Sequence, residues 1–149
     1  MNWVRFILVG LIILLAFAGA FTCFLPGRVS VSRDLHISAR PETVERFIAD
    51  TTGWDRWCVW PAGEAPLRAT LVQVQPGDVR VDYRFRRLLP ASGGFTLTED
   101  DLGGTRVQWT LNFRMRWYPW EKLSGVLMDK VWGTPMDSSL ERLKALLTR

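Results

Sequence analysis

Twenty consecutive residues, Phe6 to Leu25, carry no charge, and this run constrains the chain more than any other feature. As an α-helix rising ~1.5 Å per residue it is roughly 30 Å long, the hydrocarbon thickness of a bilayer. Such a run is either a membrane span or a signal peptide, with Arg5 ahead of it and Ala18-Gly19-Ala20 as a small-residue cut. Secretory apolar regions usually have ~7–15 residues. This one is longer and continues through Phe24 and Leu25, so a retained anchor is the expectation. Residues 1–27 are read as a single-pass anchor in the cell membrane and 28–149 as one folded domain. Phe21 and Thr22 ahead of Cys23 do not match the small-residue pattern of a lipidated cysteine. Arg28, Arg33 and Arg40 outnumber Arg5, which by the positive-inside rule puts the domain in the cytoplasm; a signal-anchor topology puts it outside. Both stay open, with the extracytoplasmic side as the working expectation.

Beyond a short hinge at Pro26-Gly27, the periodicity changes. Val29, Val31, Leu35 and Ile37 alternate with Ser30, Ser32, Asp34 and His36, a period of two that predicts a strand. Ser38 suits the cap of a following helix, with Pro41 and Glu42 in its first turn and Val44, Phe47 and Ile48 as its apolar stripe. Trp54, Trp57 and Trp60 recur every third residue, which a short helical turn would gather on one face; a structural plug at one end of the sheet is expected. Strands are predicted at Arg68–Gln75, Asp78–Leu88, Phe95–Asp101 and Thr105–Trp117. A turn at Pro76-Gly77, a loop over Pro90–Gly94 and a hairpin turn at Leu102-Gly103-Gly104 join them. A helix follows from Pro119 to Val131. Gly133-Thr134-Pro135 then reads as a stop and restart, and Met136, Leu140, Leu143 and Leu147 mark a second helical stripe.

The strands of the meander are apolar on one face only, so something must cover that face, and the final helix is the obvious cover. The fold class is α+β: an antiparallel sheet of about five strands curled around a long C-terminal helix, preceded by one transmembrane helix. Tyr83, Phe85, Trp109, Phe113 and Met115 then share the inner face, opposite Met128, Trp132 and Leu140. An ordinary core and a ligand pocket both explain this set. Arg80, Arg84, Arg86, Arg106, Arg114 and Arg116 point outward. They read as a solvated face or as a surface for anionic lipid headgroups. Aromatic residues do not interleave with them, so nucleic acid is not an expected partner.

Catalytic groups are scarce. His36 is the only histidine and sits on a polar strand face; Cys23 and Cys58 are too far apart in kind of environment to pair or to share a metal. No cofactor or metal is expected. Glu99, Asp100 and Asp101 read as solvated turn residues.

Several segments, in this order, resemble the SRPBCC superfamily of START-like, polyketide-cyclase-like helix-grip proteins, in a branch that carries an N-terminal membrane helix. They are Phe24-Leu25-Pro26, Ile37-Ser-Ala-Arg-Pro-Glu-Thr-Val44, Trp54-Asp-Arg-Trp57-Cys-Val-Trp60-Pro61, Gly103-Gly104-Thr105-Arg-Val107, Met128-Asp129-Lys130, Gly133, Pro135, and Leu140-Glu-Arg-Leu143-Lys144. The resemblance covers nearly the whole chain and strengthens the pocket reading. It implies a domain that binds a small hydrophobic or lipid-like ligand beside membrane lipid. A cyclase-like enzyme, with Tyr83 as its polar group, is the first alternative; an interaction domain with a filled core is the second. Similar proteins usually have two further strands before the one at Arg68. Here only Pro61–Leu67 occupies that place, so one cavity wall is expected to be missing.

Overall fold

The computed structural model describes residues 2–24, 27–101, 103–116 and 119–148. Helix α1 runs Asn2–Phe24, and its described side chains are exposed. Its segment Trp3–Phe21 is long and apolar enough to cross a membrane, a property it shares with signal sequences. Pro26 of the expected hinge, Leu102 of the expected hairpin turn and Trp117 of the last expected strand lie outside the described residues.

After α1 come β1 (Arg28–Ile37), α2 (Pro41–Ala49), a 3₁₀ turn (Thr51–Arg56), β2 (Arg68–Gln75), β3 (Asp78–Arg84), β4 (Ala91–Glu99), β5 (Thr105–Arg114) and α3 (Pro119–Leu147). All pairings are antiparallel, and the sheet order is β1-β5-β4-β3-β2. The five-stranded helix-grip architecture is therefore the expected one. Side-chain alternation sends Val79, Val81 and Tyr83 of β3, Phe95 and Leu97 of β4, and Val107, Trp109, Leu111 and Phe113 of β5 to one buried face. Trp132, Met136, Leu140 and Leu143 of α3 are buried with them.

Three local expectations are corrected. β4 starts at Ala91, not Phe95, and takes in Gly93 and Gly94. A Cβ on Gly93 would overlap the Thr110 carbonyl oxygen and one on Gly94 the Val79 carbonyl oxygen. Here glycine permits close backbone approach inside a bent sheet, where the sequence suggested a loop. β3 ends at Arg84, not Leu88.

The third correction is α3, which is continuous through Gly133-Thr134-Pro135. A mid-helix proline costs about 3 kcal/mol or more. The buried stripe from Met128 to Leu143 offsets it, because each large apolar side chain removed from water contributes about 1.5–3 kcal/mol. Gly133 is not a helix stop. It makes room for the guanidinium of Arg33, which a Cβ there would overlap.

Candidate functional site

The inner face of the sheet and the facing side of α3 meet through aromatic rings. Phe113 lies 4.8 Å and Phe85 5.3 Å from Trp132, centroid to centroid, and Tyr83 stacks beside Phe85 at 6.3 Å. A second group joins Trp54, Trp57, Phe95 and Trp109, with Phe95 and Trp109 stacked at 5.2 Å. Trp60 bridges the two, 6.0 Å from Tyr83, 5.9 Å from Trp109 and 6.2 Å from Trp132.

Of the predicted lining residues, Tyr83, Phe85, Trp109, Phe113 and Trp132 are thus brought into ring contact. Met128 and Leu140 are buried in the same core, while Met115 is only partly buried, near Gly125 of α3. The tryptophan triplet departs from the expected plug. Trp54 and Trp57 pack on Phe95 at the centre of β4, Trp57 also on Trp109 of β5, and Trp60 touches both the sheet and α3. Pro61–Leu67, where two further strands were expected to be missing, carries no regular strand.

Few polar groups reach this interior. Trp54 Nε1 donates to the Ile48 carbonyl at 2.8 Å, and Trp109 Nε1 donates to the Tyr83 hydroxyl at 3.3 Å. Trp57 Nε1 is buried and has no hydrogen-bond partner among the described residues. Its ring packs edge-to-face with Phe95 and Trp109, at centroid separations of 6.0 and 6.1 Å. Burial pushes the Tyr83 hydroxyl pKa well up, only partly countered by the bond it accepts from Trp109, so it stays protonated. Burial likewise pushes the Cys58 thiol up, which leaves it neutral.

Ser139, which sequence reasoning passed over, fixes the tryptophan segment. Its buried hydroxyl accepts from the Val59 backbone N–H at 2.7 Å and donates to the Pro135 carbonyl at 2.7 Å. The signal was present: Ser139 falls three residues after Met136, inside the buried stripe, where a polar residue needs a partner.

The outward arginines do not form one patch. Arg80 pairs with Asp78 at 3.1 Å, and Arg106 lies 3.9 Å from Asp34. Arg86 and Arg116 are exposed beyond the strand ends. Arg84 and Arg114 flank a trough on the outer sheet face. His36, expected to face solvent, is partly buried over the side-chain-free Gly104, its Nε2 3.3 Å from Asp100 but out of line for a hydrogen bond.

Residues 56–148 match the family described as polyketide cyclase / dehydrase and lipid transport. No curated protein matches the chain. Solved structures share its fold. Protein CV1439 of Chromobacterium violaceum is 17% identical with a TM-score of 0.58, over 83% of this chain and 99% of that one. Protein Ms6760 of Mycobacterium smegmatis is 18% identical with a TM-score of 0.57, over 80% and 90%. The ZhuI aromatase/cyclase of Streptomyces sp. R1128 is 13% identical with a TM-score of 0.55, over 82% and 94%.

Proposed function

The chain belongs to the polyketide cyclase / dehydrase and lipid transport family, and from that premise we propose that α1 holds it at a membrane while the grip binds a small apolar molecule carrying a hydrogen-bond acceptor. The guest takes the space that Trp60 fills between Tyr83, Trp109 and Trp132.

The observation that carries this reading is the buried Trp57 Nε1 with no partner among the described residues. Leaving such a donor unmet costs about 1–3 kcal/mol. A carbonyl or hydroxyl oxygen on a guest that reaches Trp57 past Trp109, which both Trp57 and Trp60 touch, would meet it, and the Tyr83 hydroxyl can offer its O–H as a second donor. Aromatic walls with a few orienting donors are the usual composition of a small-molecule site. Trp60 is half-buried on a segment without regular secondary structure, so it is the ring whose displacement disturbs the fold least.

A cyclase-like enzyme would use the same space, with the Tyr83 hydroxyl polarising a substrate carbonyl. Tyr83→Phe separates the two: binding without chemistry loses affinity only, whereas an enzyme loses turnover.

The test is native mass spectrometry of the full chain released from detergent micelles after incubation with a membrane lipid extract. The wild type should retain a small apolar component, and Trp60→Ala should retain it more strongly because the space is already open. Retention by neither protein would sink this reading and leave a filled-core interaction domain.

A further inference from the structure

The outer face of the sheet, away from α3, carries a trough of about 940 Å³. Its floor is a continuous cross-strand row. Ser30 pairs with Asn112, Asn112 with Ser92, Ser92 with Asp82, and Asp82 with Thr70, so all five strands contribute one short polar side chain. Two residues nearer the sheet end, arginines stand directly opposite each other on either side of β4: Arg28 with Arg114, and Arg68 with Arg84. Between them lie Leu89 and Pro90, just ahead of β4, and Ala91, its first residue, which add no charge. Long side chains on both flanks of a strand with short ones make the trough.

Packing does not call for this arrangement. Like charges directly opposite across a sheet are destabilising. Arg33, Arg80 and Arg106 each have a carboxylate within 4.0 Å, but among the described residues none of the four trough arginines does. Asp82 is the single acid lining the trough, which leaves an excess of three positive charges. Bidentate guanidinium groups suit phosphate oxygens. The Ser, Thr and Asn floor suits hydroxyl groups, and Asp82 accepts from a hydroxyl while keeping a phosphate at the arginine rim.

The location narrows the source. Arg28 is four residues beyond Phe24, the last residue of α1, so it lies at most ~14 Å from that helix end. The headgroup layer adds roughly 5–7 Å on each side of the hydrocarbon.

We propose that this trough binds the headgroup of an anionic phospholipid, with the Arg28/Arg114 and Arg68/Arg84 pairs forming a basic rim for its phosphate and the Ser92–Asp82–Thr70 floor on headgroup hydroxyls. Phosphatidylglycerol has this chemistry. The proposal rests on α1 lying in a membrane and is independent of the interior site.

The test uses the full chain in nonionic detergent, titrated with short-chain phosphatidylglycerol or phosphatidylcholine and read by native mass spectrometry. Inorganic phosphate and glycerol 1-phosphate serve as competitors. Phosphatidylglycerol should be retained in preference to phosphatidylcholine. Arg68→Gln should weaken it about fivefold and Arg68→Gln with Arg84→Gln about 25-fold, as the contribution of one basic group near an anionic surface implies. Arg114→Gln repeats the test on the other pair, and Arg106→Gln, outside the trough, should change nothing. Thermal unfolding confirms that each variant is folded; removing one of two opposed like charges should leave the midpoint unchanged or raise it. Equal retention of both lipids, or equal weakening by Arg106→Gln, overturns the site. Displacement by inorganic phosphate as effective as by phosphatidylglycerol assigns the trough to a free anion and overturns the lipid source. These failures are distinct from loss of anchorage, which membrane washing reports separately.

Discussion

Arg33 of β1 passes over Gly133 of α3 and reaches two carboxylates one helical turn to either side, Asp129 at 3.0 Å and Asp137 at 3.4 Å. Its register is that of the apolar side: Arg33 pairs with the buried Trp109 across the edge of the sheet. An arginine there is tolerated because its stem packs inward while its head emerges beyond the helix. The result ties the open edge of the sheet to the helix that covers it.

Gly133→Ala is the direct probe. Alanine gains about 1 kcal/mol of helix propensity over glycine. In the wild type that gain should be absent, because the new methyl displaces the guanidinium. In an Arg33→Ala background it should appear in full. Urea unfolding of the four proteins of this cycle in detergent measures the coupling. Equal effects of Gly133→Ala in both backgrounds would contradict the contact.

The same arginine, by its hydrogen bond, holds the Asp129 carboxyl below its ordinary range, and Thr52 does so for Asp50. A depressed carboxylate contributes stability that is present above the unfolded pKa, about 3.9, and lost as pH falls through the lower folded value. Stability should therefore decline below about pH 4, and Arg33→Ala should flatten that decline.

At the alkaline end the sign reverses. Cys58 and Tyr83 are pushed up by burial, so their contribution is complete below the unfolded values of about 8.5 and 10 and falls as pH rises past them. Unfolding midpoints taken from pH 7 to 11 should drop from about pH 8.5 onward. In Cys58→Ala the first part of the drop should vanish. A flat profile would mean that the thiol is not buried as described.

Trp57 and Trp109 are both fully buried indoles with different hydrogen-bond circumstances. Trp109→Phe removes a made bond to Tyr83, whereas Trp57→Phe removes a donor that has no partner. Both leave a void, so the difference isolates the polar term. Trp57→Phe should be the milder change by about 1–3 kcal/mol. The reverse order in denaturant unfolding would remove the argument for a guest oxygen at Trp57.

Gly94→Ala should be among the most damaging single changes, because the Cβ meets the Val79 backbone carbonyl, which cannot step aside. Destabilisation of about 4 kcal/mol or more is expected. Gly53→Ala is the control, since its Cβ would meet only the Asp50 side chain at 3.4 Å. Circular dichroism melts of the two variants make the comparison.

Anchorage has its own measurement. Membranes from cells expressing the full chain should keep it through a sodium carbonate wash, with an intact mass that includes α1. Release, with the mass shortened by the first twenty or so residues, would mean a cleaved signal sequence.

Most elements were legible because they depend on local period. Alternation over Val29–Ile37 and Thr105–Arg114, and the stripe from Met136 to Leu147, follow from which side of a backbone each side chain leaves. The inner aromatic set was legible for the same reason. The glycines misled. Gly93, Gly94 and Gly133 carry no local sign of whether they end an element or let a distant group come close.

The amino-acid sequence by itself determined a bilayer-length apolar helix, five strands, their inward faces and a helix to cover them, since each needs only the spacing of apolar residues along the chain. The tertiary structure alone decided three things. Trp60 joins the sheet to α3, α3 runs unbroken through Pro135, and four arginines from four strands stand around one trough. Each of these rests on strand register and on packing between residues far apart in sequence, and those energies outweigh the local preferences that sequence reading can see.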